Sequence, residues 1–213
     1  MILHNFIVFE GIDGTGTTTQ LEMLTARFAS KDIKLTKKIH FTCEPTSGEI
    51  GKLIRRALRG EIQFTPDTMA RLFASDRSEH IFGTGGIRDL VASGYAVFSD
   101  RYLFSSLAYQ GEAGNPDLPA ALNRDFPLPE YLFYFDLHPS IAMERVVKRA
   151  GTLEIYEKHE FQMKVHARYL DIISHYKQAE PAMTVVHIDA SQPIDAIAEK
   201  IWSIAGNLPK IYS

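Results

Sequence analysis

The chain has 213 residues, 45% of them hydrophobic, and a formal net charge of −3. That length can bury a full core in one domain, and the small negative charge gives no overall attraction to nucleic acid or anionic lipid, so any polyanion must be held by local cations. Cys43 is the only cysteine, which excludes an internal disulfide framework and a multi-cysteine metal site and fits a reducing compartment, by default the cytoplasm.

The opening "MILHNFIVFE" is apolar but carries no basic n-region and no small-residue cleavage site, and no apolar run reaches the roughly 20 residues of a spanning helix. Residues 5–10 read as a first strand. Directly after it comes "GIDGTGTTTQ", 11–20, in which Gly11, Gly16 and Thr18 satisfy the spacing G-x-x-x-x-G-K-[ST] while Thr17 stands in the lysine position. Backbone N–H groups of such a turn cradle phosphate oxygens, and a hydroxyl at the helix start can ligate Mg²⁺. Ile12, Asp13, Gly14, Thr15 and Thr19 complete the candidate ATP-phosphate loop, with Thr18 as the candidate metal hydroxyl. Read alone, the same glycines also fit an ordinary strand-to-helix turn. A lysine ammonium about 4 Å from a phosphate charge is worth on the order of 4 kcal/mol at an effective dielectric near 20. If it acted only in the transition state, losing it would cost roughly a thousandfold in rate. Binding should suffer less, because the backbone cradle and helix dipole remain.

The second run, "KLTKKIHF" at 34–41, is more polar and belongs near a sheet edge. Beyond it lie Glu44 and the cluster Arg55, Arg56 and Arg59, which reads as a solvated face rather than a nucleic-acid surface at this net charge. "RLFASDRSEH", 71–80, has helical spacing. Phe73 and Arg77 are four apart on one face, where a ring could stack a base and a guanidinium could read its edge. The plainer reading puts Phe73 in the core and Arg77 in solvent. The third run, "YAVFSD" at 95–100, leads into "RYLFSSLAYQG". Asp100 at that strand end can reach a metal, as Thr18 can, or orient a base, and Arg101 can fork onto a phosphate, which makes both catalytic candidates with Asp13; alternatively Asp100 and Arg101 close the strand as an ion pair.

"GEAGNPDLP", 111–119, is rich in turn formers and reads as a surface loop. A fourth run at 131–137 precedes a predicted helix from Ser140 to Arg149, the break "AGTLEIYE", and a long helix to about Lys177. His159 and His166 share a face of that helix without a carboxylate or cysteine at ligand spacing, so no zinc site is expected. The fifth run is "TVVHID", 184–189. Strand-like runs alternating with helical segments predict an α/β fold with a mainly parallel sheet, and the absence of repeats and linkers predicts one domain over 1–213.

In order and approximate spacing, "FIVFEGIDGTGTTTQ", "EPTSGEIGKLIRRAL", "LFASDR", "DRYLFSSLAYQG", "YLFYFDLHPSIAMERVVKR" and "IDASQP" resemble the thymidylate kinases, a branch of the P-loop nucleoside monophosphate kinases. The likeness covers nearly the whole chain. It implies a five-stranded parallel sheet flanked by helices, transfer of the γ-phosphoryl group of ATP to dTMP with Mg²⁺, a lid at about 149–157, and a homodimer formed through helices such as the one carrying Phe73. By position, Phe73 resembles the ring stacked on thymine and Arg77 the donor to the base carbonyl. Ser106 and Gln110 fall near the base edge, and Tyr109 against the deoxyribose. Arg101 resembles the arginine on the acceptor phosphate, with Asp13 and Glu44 near that phosphate and the metal. Tyr156 and Glu157 match the element closing over dTMP, and "DASQP", with Gln192, lies beside the adenine.

The chain departs from the family's pattern on its cations. Thr17 replaces the loop lysine, Gly14 stands where one subgroup carries an arginine, Ile155 stands where bacterial-type lids often carry one, and Cys43 replaces a frequent arginine before the Glu-Pro pair. Lys148, Arg149 and Lys158 are the candidate substitutes, Arg149 being the catalytic one. Two alternatives stay open on the residues: a dTMP- or nucleotide-binding protein with weak or no kinase activity, and a kinase with altered deoxynucleotide or donor specificity.

Overall fold

A computed structural model of the chain describes residues 1–30, 38–150 and 159–210. The apolar runs form the strands β1 (Ile2–Gly11), β2 (Ile39–Cys43), β3 (Ala96–Asp100), β4 (Leu128–Asp136) and β5 (Thr184–Asp189). They make one five-stranded sheet in the order β2-β3-β1-β4-β5, with every pairing parallel. The central strands are covered on both faces, which is why β1, β3 and β4 are nearly continuous in hydrophobicity. β2 lies at an edge, as its polar composition predicts, but it begins at Ile39 rather than 34, and 34–37 fall outside the described residues.

The flanking helices are α1 (Thr17–Ala29), α2 (Glu49–Leu58), α3 (Pro66–Phe82), α4 (Ile87–Ala92), α5 (Asp117–Asn123), α6 (Pro139–Ala150), α7 (His159–Ala179) and α8 (Ile194–Ala205). Between β3 and α5 runs a helical stretch of three pieces, Leu103–Ser105, a π-helical Ser106–Gln110, and Gly111–Ala113. Local chemistry sets several boundaries. The Thr65 side chain accepts the Thr68 N–H and Pro66 occupies the first turn, an N-terminus legible in "FTPDT". In α2, Glu49 lies in the first turn and Arg55 and Arg56 in the last, each matching the helix dipole.

The expected surface loop at 111–119 is corrected. Helix enters it from both ends, Gly111 and Pro119 are buried, and only Asn115 to Asp117 are exposed. A Cβ at Gly111 would stand 2.5 Å from the Arg168 guanidinium, so glycine here leaves room for that side chain of α7 rather than forming a turn.

The core lies on both faces of β1. Phe6, Ile7, Val8 and Phe9 are fully buried, and the Phe9 ring stacks on Phe133 at 5.0 Å. A smaller cluster around Ile54, Ala57 and Met69 joins α2 to α3. The connection leaving β1 runs toward β2, and the one leaving β3 runs to β4 on the other side. This divergence opens a crevice at the carboxyl ends of β1 and β3.

Candidate functional site

Two cavities flank that crevice. The turn from β1 into α1 separates them, with Gly14 at φ +88° and Gly16 at φ +94°, left-handed values that favour glycine. The Thr15 hydroxyl donates to Ile12 O at 2.8 Å and locks the turn. A Cβ on Gly14 would lie 2.2 Å from the Ala142 carbonyl, because the loop rests directly on the backbone of α6. An arginine side chain therefore has no room at position 14 in this arrangement. Thr17 is buried at the helix start, and Thr18 and Thr19 are exposed.

The first cavity measures about 280 Å³, and Asp13, Glu44, Phe73, Arg77, Arg101 and Gln110 are among the residues lining it. Arg101 is held at φ +74°, rare for a residue with a side chain; its N–H donates to Phe9 O at 2.9 Å, and the Ser99 hydroxyl donates to its carbonyl at 2.8 Å. This backbone turns the guanidinium back across the end of β1. There it donates to Gly11 O, to Asp13 Oδ1 at 2.8 Å and to the Tyr169 hydroxyl at 3.3 Å. The other Asp13 oxygen accepts from the Tyr109 hydroxyl at 3.0 Å and from Gln162 Nε2 at 3.1 Å.

Behind this pair lies Glu10, fully buried, which accepts from Tyr102 N, from the Ser105 hydroxyl at 2.6 Å and from the Tyr169 hydroxyl at 2.8 Å. Burial raises its pKa to about 7 against the opposing pull of Arg101 and the hydroxyl donors. A carboxyl whose folded pKa exceeds its unfolded value stabilises the fold fully below the unfolded value of 4.5 and loses that contribution as pH rises to about 7. Denaturant titrations from pH 4.5 to 7 should therefore show stability falling by up to about 1.4 kcal/mol per pH unit from this group. That component should be absent from Glu10→Gln.

Arg77, four residues from Phe73 on α3, is 1% exposed, which corrects the expectation that it would otherwise lie in solvent. Its guanidinium donates to Glu44 Oε2 at 2.6 and 2.9 Å, to Asn123 Oδ1, and to the Ser106 hydroxyl at 3.2 Å. Glu44 is thus clasped between Arg77 and His80, whose Nδ1 lies 3.0 Å from Oε1. Ser106 is buried behind Arg77 and supports it instead of lining the cavity. Gln110 does line it, and Gln110 Oε1 is a buried acceptor without a hydrogen-bond partner among the described residues.

The second cavity, about 300 Å³, is lined by Gly14, Thr15, Gly16, Thr19, Arg145 and Gln192, among others. Gln192 sits in a turn organised by Asp189, which accepts from its side chain at 2.8 Å and from the Ser191 hydroxyl at 2.6 Å; these bonds hold the Asp189 carboxyl down to about 2. Arg145 reaches Ala190 O at 3.2 Å. No motif singles out Arg145, although its spacing of four from Arg149 along α6 is visible in the sequence.

Where α1 starts beside the end of β3, Thr18 Oγ1 donates to Asp100 Oδ2 at 2.6 Å, and Asp100 Oδ1 is buried with no partner among the described residues. Two oxygens converge here, one with an unused lone pair. Among the described residues no cluster of three or more His, Cys, Asp or Glu can hold a metal. This donor set fits Mg²⁺, which takes one or two protein oxygens and completes its shell with phosphates and water. The Lys148 side chain is exposed on α6. The Arg149 side chain, Tyr156 and Glu157 of the expected lid, and Lys158 next to it lie outside what is described.

The family model described as thymidylate kinase matches residues 9–201. A protein of Treponema pallidum (strain Nichols) named for that activity is 46% identical over 200 residues, 94% of each chain. The thymidylate kinase of Leptospira borgpetersenii is 37% identical over 173 residues, 79% of this chain and 80% of that one. In fold, the chain is similar to the structure of thymidylate kinase from Candida albicans, with a TM-score of 0.76, 23% identity, and coverage of 95% of this chain and 91% of the other.

Proposed function

The chain belongs to the thymidylate kinase family and transfers a phosphoryl group from ATP to dTMP, and from that premise we propose how its own residues divide the work. The observation that carries the division is that the two cavities meet at consecutive residues, Asp13 lining one and Gly14 the other. Acceptor and donor phosphates held in them face each other across the loop. Phosphoryl transfer needs that alignment, neutralised oxygens and exclusion of water, and no covalent nucleophile.

The first cavity takes dTMP. Phe73 stacks the base, Gln110 Oε1 accepts the imide N–H, and Arg77 offers a rigid edge to a base carbonyl, with Ser106 acting through Arg77 and Tyr109 against the sugar. Arg101 neutralises the acceptor phosphate, oriented by Asp13. Glu44 fixes Arg77 and borders the phosphate end. The second cavity takes ATP, its phosphates on the backbone of Gly11 to Thr18 and its adenine between Arg145 and Gln192. Thr18 and Asp100 hold Mg²⁺, which supplies charge neutralisation on the transferred group when bound. A single domain with a lid near 149–157 carrying Arg149 and Tyr156, a homodimer through α3, and a cytoplasmic location belong to the same proposal. No helix among the described residues is long and apolar enough to cross a membrane.

The test follows dTDP formation from Mg·ATP and dTMP. Thr17→Lys restores an ammonium at the loop and should raise kcat by about tenfold or more, up to roughly a thousandfold, with little change in the KM for dTMP. Binding of dTMP without turnover, and no gain from Thr17→Lys, would overturn phosphoryl transfer in favour of a binding protein.

A further inference from the structure

Three oxygens beneath Arg101 stand mutually within hydrogen-bonding distance. Glu10 Oε2 is 2.6 Å from Ser105 Oγ and 2.8 Å from Tyr169 Oη, and Ser105 Oγ is 2.9 Å from Tyr169 Oη. Each contact needs one proton, and the two hydroxyls supply only two. With Glu10 ionised, one pair of oxygens is left facing lone pair to lone pair in a site that excludes water, since Glu10 is fully buried. A proton on Oε2 closes the ring, so that each oxygen donates once and accepts once around it. The other carboxyl oxygen suits that form: Oε1 only accepts, from Tyr102 N at 2.8 Å and Ser105 N at 3.2 Å. The ring joins the cavity through Tyr169 Oη, which accepts from the Arg101 guanidinium at 3.3 Å.

We infer that Glu10 is a positioning residue that holds this third proton while dTMP is bound, which leaves the charge of Arg101 to the dTMP phosphate. The inference rests on reading the first cavity as the dTMP site. Arg101 already faces the Asp13 carboxylate at 2.8 Å. An ionised Glu10 sets a second carboxylate against the same guanidinium, and the phosphate must then compete with both. Conversely, a phosphate dianion on Arg101 offsets its pull on Glu10 and favours the proton there. The groups that face Glu10 act in different directions. Arg101, from the end of β3, opposes the proton, whereas burial favours it and brings the carboxyl to about 7. The Tyr169 phenol of α7 and the Tyr134 phenol of β4 are held neutral, the first by burial and Glu10, the second by burial, Asp136 and Glu10. The Tyr109 hydroxyl is committed to Asp13 at 3.0 Å. Glu10 therefore exchanges its proton near neutral pH, and dTMP binding and proton uptake are linked.

Calorimetric titration of the full chain at about pH 7.5, in two buffers of different ionisation heat, counts the protons. For a carboxyl whose pKa rises by about one unit in the complex, dTMP should take up about half a proton, and thymidine, the same nucleoside without the phosphate, none. Glu10→Gln keeps a donor and an acceptor in the ring but cannot titrate, so it should take up about half a proton less with dTMP. The Kd for dTMP of the wild type, divided by that of Glu10→Gln, should rise about tenfold between about pH 6 and pH 9; the titration of dTMP itself cancels in this ratio. Equal uptake in the two chains, or a flat ratio, with dTMP still bound more tightly than thymidine, would overturn the role of Glu10 alone. If Glu10→Gln fails to fold, the wild type decides: equal proton counts for dTMP and thymidine overturn the inference, and uptake with dTMP alone supports it. A wild type that binds dTMP no more tightly than thymidine would overturn the reading of the cavity itself, and the role of Glu10 with it.

Discussion

Replacing Arg101 by alanine should lower kcat/KM for dTMP phosphorylation by about a thousandfold, since one guanidinium close to a phosphate is worth on the order of 4 kcal/mol at an effective dielectric near 20. Two effects combine. The charge on the acceptor oxygens goes unneutralised, and Asp13, now without its partner at 2.8 Å, adds a carboxylate facing the incoming phosphate. Arg101→Lys should recover only part of the rate, because an ammonium cannot bond Gly11 O, Asp13 and Tyr169 at once as the fork does. Asp13→Asn separates the two effects. It leaves Arg101 less well oriented but uncompensated, so the KM for dTMP should change less than kcat. Steady-state dTDP formation measures all three, and a kcat/KM for Arg101→Ala within tenfold of wild type would remove Arg101 from the chemistry.

The second large effect is expected at Gly14. Alanine there must adopt φ +88° and push its Cβ to 2.2 Å from the Ala142 carbonyl, a backbone atom of α6 that cannot rotate away. The left-handed conformation alone costs about 1–2 kcal/mol, and the steric overlap requires the loop and α6 to part. Gly14→Ala should therefore lose at least about 3 kcal/mol of stability and most ATP affinity. Gly16→Ala is the internal control. Its φ of +94° carries the same conformational cost, but a Cβ there meets nothing within 4 Å, so the loss should stay near 1–2 kcal/mol. Thermal or urea unfolding of the pair, with ATP titration, distinguishes contact from backbone strain; similar losses at both positions would show that contact with α6 does not matter.

The pair also bears on why this loop lacks an arginine at position 14. The packing of Gly14 on α6 fills the space that a side chain would need, so the loop's own residues contribute hydroxyls and N–H groups but no cation. Charge has to come from other elements. Arg145 reaches the donor cavity from α6, Arg101 comes from the end of β3, and Arg55 reaches the acceptor cavity from α2.

Much of this was legible in the chain. The five runs became five parallel strands; the central three, β1, β3 and β4, are nearly continuous in hydrophobicity because a strand buried on both faces must be apolar throughout, and the more polar second run became an edge, which tolerates it. The strand-to-helix turn at Gly11 to Thr18 follows from glycine spacing, and the start of α3 follows from Thr65 and Pro66. Phe73 with Arg77 and Asp100 with Arg101 were visible because a helix period or a strand end fixes where their side chains go, whereas Gln110 and Gln192, which line the two cavities, were expected only from the family resemblance.

Tertiary structure decided the charge pairing. Sequence spacing cannot show that Glu44 would claim Arg77 across 33 positions, that Asp13 would claim Arg101 across 88, or that Arg55, one arginine of a surface-like cluster, would line a cavity and bond the Pro45 and Thr46 carbonyls. Nor could it show Ser106 behind Arg77, Arg145 beside the phosphate loop, or Glu10 buried beneath Arg101. Periodicity reports which face of an element is apolar. Which charge meets which depends on contacts between elements distant in sequence, and those exist only once the sheet has brought the ends of β1, β2 and β3 together.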